Sequence, residues 1–182
     1  CPPLASDPRA GIHNDHETVA EAVRRVAYML NVPHAFTPEF PDPDPAPRPR
    51  RVPVILNVYD GYMFGANAWD LAVDVAPAFD TIAGMSWCHQ SQIREWLPWV
   101  GRHRLNPPAD LGEWSGELRR RFARQAGDLG VPVDRLVEVF TVTAWGEVPS
   151  LDQLRRDFPA LAEELMDPAG LNARLRRWRG EG

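Results

Sequence analysis

The clearest hydrophobic pattern begins at Val19: apolar residues fall at Val19, Val23, Val26, Ala27 and Leu30, while Glu21, Arg24 and Arg25 take other positions. Steps of three and four residues mark one face of an α-helix, so a helix is predicted over about residues 15–30, with the charged residues on its other face. Asn14 and Glu17 have the spacing of a capping box, with Asn14 as N-cap. A second stripe, Trp114, Leu118, Phe122, Ala126 and Leu129, ends at Gly130 and Pro132 and predicts a docking helix. Pro77 suits the first turn of a helix running through Ser91 or beyond, with Ala78, Ile82, Met85, His89 and Ile93 on one face and Trp96-Leu97-Pro98-Trp99 closing it. Ser150 and Gln153 repeat the capping-box spacing and start a short helix that stops before Pro159. Pro168 and Gly170 set off a last, basic helix.

Strand signals are shorter. Val52 to Val58 is almost wholly apolar, as expected of a central parallel strand buried on both faces. Leu71 to Val75 alternates like a short strand, and Leu136, Phe140, Val142 and Ala144 alternate with Val137, Val139, Thr141 and Thr143, adding another. Helices interleaved with strands imply an α/β fold. Residues 1–10 read as a loop, and prolines at 33, 38, 41, 43, 45, 47 and 49 make residues 33–51 an extended, solvated proline-rich loop.

Composition narrows the class. A chain of 182 residues with 44% hydrophobic content suffices for one core. The net charge of −5 argues against a general nucleic-acid footprint, and the basic run Arg174–Arg179 reads as a solvated helix face. No apolar run approaches the roughly 20 residues that span a bilayer. Cys1 and Cys88 are the only cysteines, which implies no disulfide framework and a reducing, cytoplasmic setting.

Candidate chemistry concentrates before the first helix, in Gly11-Ile12-His13-Asn14-Asp15-His16-Glu17. His13 would lie just outside the helix and His16 in its first turn, where free backbone N–H groups and the helix dipole make the surroundings electropositive. A neutral imidazole there can bind a metal, and a second can donate to a developing oxyanion. The spacing alone equally fits two polar residues on a solvated helix start. The glycine-punctuated, aromatic stretch Tyr59-Asp60-Gly61-Tyr62-Met63-Phe64-Gly65 follows the first predicted strand. Loops leaving the carboxyl ends of strands in open α/β sheets build the ligand crevice, which makes Tyr59, Asp60 and Tyr62 candidates for substrate binding; a hydrophobic plug is the competing reading. His89 is a candidate pocket residue or a hydrogen-bonded core histidine.

These residues resemble the PIG-L or LmbE-like zinc-dependent de-N-acetylases of N-acetylglucosamine conjugates. That family carries a His-Pro-Asp-His motif opening a helix, matched here by His13-Asn14-Asp15-His16. A second similar block is Val73-Asp74-Val75 followed by Trp87-Cys88-His89-Gln90-Ser91-Gln92 and Glu95-Trp96-Leu97-Pro98. A third runs from Glu138-Val139-Phe140 to Trp145-Gly146. The resemblance implies a Rossmann-like sheet with flanking helices. Members also carry an upstream Ala-His-Pro-Asp-Asp-Glu motif supplying a His and an Asp to zinc and a further Asp as general base. That motif occurs nowhere in this chain. Residues 1–182 are therefore expected to be the C-terminal part of one deacetylase domain lacking its N-terminal strands, with a helical extension over 150–182; the N-terminal half would come in cis or in trans.

By the same resemblance, Zn2+ would be held by His16 together with the absent His and Asp. His13 would stabilise the oxyanion or protonate the leaving amine, and Asp15 would orient an imidazole. The substrate would be a small-molecule N-acetylated sugar conjugate. Asn14 stands where the family usually has proline, and Gly11 where some members have a carbonyl-polarising tyrosine, a role that Tyr59 or Tyr62 would have to supply. Two other readings stay open: a non-catalytic sugar- or protein-binding domain that retains the fold, and a hydrolase using Cys1 or Cys88 with a histidine. A homo-oligomer is open as well.

Overall fold

The computed structural model describes residues 14–30, 32, 51–59, 69–101 and 106–182. His13, the proline-rich residues 33–50 and the aromatic stretch from Asp60 lie outside the described residues. The chain is mixed α/β, with six α-helices and a three-stranded antiparallel sheet among those residues. It divides into two compact units, Cys1–Ala72 with Val139–Gly182, and Val73–Glu138.

Helix α1 spans Asn14–Met29, close to the predicted bounds. Asn14 is the first described residue of α1, so the N-cap expectation for it lies at the edge of the described residues. The valine stripe is not the packing face: Val19, Val23 and Val26 are 61, 43 and 57% exposed, whereas Ala20 and Ala27 are buried. Arg24, expected in solvent, is half-buried, with its guanidinium 5.4 Å from the ring centroid of Trp145. Positions 20, 24 and 27 share a helical face, and two methyl-sized side chains there leave room for an arginine stem lying over an indole.

Strand β1 is only Leu56–Val58, and it pairs antiparallel with β3, Val137–Val142, in the register Leu56↔Val142, Asn57↔Thr141 and Val58↔Phe140. The sheet order is β1-β3-β2, with β2 at Leu71–Asp74. Asp70 N donates to Phe140 O at 2.8 Å and Val75 N to Leu136 O at 2.9 Å, so this pairing also runs antiparallel. The central parallel strand expected over 52–58 is thus, among the described residues, a short antiparallel edge strand. Pro53 has no N–H to give a ladder, and edges tolerate such residues. Contact with the chain after β3 continues through Thr143 N to Ile55 O at 3.2 Å and Glu147 N to Pro53 O at 3.1 Å.

In the first unit, Leu71 and Val142 of the sheet pack with Leu151 and Leu154 of α5, Leu151–Asp157, and with Leu171 and Leu175 of α6, Pro168–Trp178. Ser150 caps α5 as expected, its hydroxyl accepting from Gln153 N at 3.0 Å. Asp167 caps α6 by accepting from Gly170 N at 3.0 Å, with Pro168 at the first helical position.

In the second unit, α2 (Phe79–Trp87) packs on α4 (Leu111–Leu129) through Phe79, Ala83 and Phe122, with Val75 beside them. Phe79 and Phe122 meet edge to face, centroids 6.2 Å apart. The α4 stripe packs as predicted, with Trp114, Phe122 and Ala126 buried. Asp110 caps it by accepting from Glu113 N at 2.9 Å, and Glu113 reaches back to Ala109 N at 2.8 Å. Gly130 ends it at φ 70°, a left-handed conformation that favours glycine. The predicted face over residues 78–93 holds in part: Ile82 packs against the core and Ile93 is buried, whereas Ala78, Met85 and His89 are exposed and Phe79 and Ala83 are buried instead. Phe79, almost fully buried against Phe122, marks the inward face. The helix stops at Trp87, so His89 is not carried on it; Ser91–Trp96 then form a π-helical turn leading into α3, Leu97–Val100.

Candidate functional site

The start of α1 carries the described part of the candidate site. Asp15 and His16 are both exposed in its first turn, with Glu17 alongside. The positive end of the helix dipole favours carboxylates there. His13 is outside the described residues.

Tyr59 is half-buried and extends β1 by one residue, its backbone N donating to Val139 O at 3.3 Å. Asp60 and Tyr62 are outside the described residues. His89 is exposed at the break between α2 and the π turn. Its N donates to Ser86 O at 3.0 Å, and its carbonyl accepts from Gln92 N at 3.0 Å and Ile93 N at 3.1 Å. It is therefore not a core histidine. Asp15, His16 and Tyr59 belong to one unit and His89 to the other. Among the described residues no three His, Cys, Asp or Glu side chains come together as a metal-holding group. His16 can supply one ligand to a metal; the described residues do not supply a complete set.

Three features were not anticipated from sequence. Asp70 bridges sheet and helix: Oδ2 accepts from Val142 N at 2.8 Å and Oδ1 pairs with Arg174 Nη2 at 2.6 Å. Asn57 on β1 has a buried Oδ1 that meets no donor among the described residues. Trp96 and Trp99 stand exposed with centroids 5.1 Å apart. The aromatic and acidic residues were visible in the sequence, but their exposure and pairing were not.

No family model, curated protein or solved structure matches the chain. Among the described residues no helix is long and apolar enough to cross a membrane.

Proposed function

We infer that this chain is the C-terminal part of a zinc-dependent N-deacetylase acting on an N-acetylated amino sugar or its conjugate in the cytoplasm. The observation that carries the reading is the helix opening at Asn14 with Asp15 and His16 exposed in its first turn, joined to the resemblance of His13-Asn14-Asp15-His16 and of the two later blocks to LmbE-like enzymes. The reading takes the three-stranded sheet as part of a larger Rossmann-like sheet. A segment outside these residues would complete that sheet and add a His and an Asp to the metal site.

Within it, zinc would supply Lewis acidity and an activated water. His16 would be this chain's ligand. Asp15 would accept from an imidazole N–H and fix its tautomer, and His13 would donate to the charge developing on the acetyl oxygen. Tyr59 or Tyr62 would take the carbonyl-polarising place left by Gly11.

The test is acetate release from N-acetylglucosamine conjugates by the protein joined to an upstream segment bearing Ala-His-Pro-Asp-Asp-Glu, with metal analysis alongside. Zinc-dependent turnover that disappears with metal content in His16→Ala is expected. Undiminished zinc content and turnover in that variant would overturn the assignment. Tyr62→Phe should lower turnover at unchanged zinc content.

A further inference from the structure

We draw no further inference here: the strongest candidate, the groove between residues 106–108 and the first turns of α4, carries nothing because its charged side chains are already engaged, Glu113 with Ala109 N and Glu117 with Arg120, and nothing in it points to a ligand.

Discussion

Asp70 holds Arg174 at 2.6 Å through one carboxylate oxygen and accepts the backbone N–H of Val142 through the other, joining the chain before β2 to both β3 and α6. Asp70 is nearly buried, its side chain 10% exposed. Removing it leaves a donor and a partly buried guanidinium without their partner. Asp70→Ala should therefore destabilise the protein by about 3 kcal/mol. Asp70→Asn, which keeps an acceptor for Val142, should cost about half as much. Urea unfolding of both variants checks this, and equal costs would show that the charge contributes nothing.

Gly146 lies against Pro53, where an added Cβ would overlap the Pro53 carbonyl oxygen. That oxygen is held by Glu147 N at 3.1 Å, and backbone cannot swing aside as a flexible side chain can. Gly146→Ala should cost about 1–3 kcal/mol, the range of overpacked positions, read as a lowered urea midpoint. An unchanged midpoint would contradict the close approach.

Asn57 has a buried Oδ1 without a donor among the described residues, so its amide contributes less than its burial costs. Asn57→Val, which suits a strand and removes the polar atoms, should be neutral or stabilising by about 1 kcal/mol. A marked loss of stability would reveal a partner for the amide.

Arg155 clamps Glu163 with two hydrogen bonds of 2.8 Å, and that hydrogen-bonded guanidinium lowers the carboxyl pKa of Glu163 below its ordinary value. A folded pKa below the unfolded one means that this contribution is present above the unfolded value and is lost as pH falls through the folded one. Wild type should thus lose more stability than Glu163→Gln between neutral and acid pH. Parallel stability profiles for the two proteins would refute the linkage. The side chains are exposed, so added salt should shrink the difference.

Much of the local structure was legible in the residues themselves. The period of Trp114, Leu118, Phe122 and Ala126 and the stop at Gly130 mark α4 without any tertiary knowledge. Ser150 with Gln153 marks the start of α5, and His13-Asn14-Asp15-His16 points to a helix start where Asp15 and His16 do stand exposed. Such signals depend on neighbours within one or two turns, so the sequence by itself determines them. Which face of an element packs is different, because it depends on what lies opposite. Trp145, distant in sequence, lies under Arg24, and α1 buries Ala20 and Ala27 while its valines face outward. The antiparallel edge position of Leu56–Val58 likewise depends on Phe140 to Val142, some 80 residues away, and an apolar run carries no mark of its partner's direction. Tertiary structure alone decided the bridge from Asp70 to Arg174 and the exposure of Trp96 and Trp99, because burial and pairing are properties of surfaces brought together by folding.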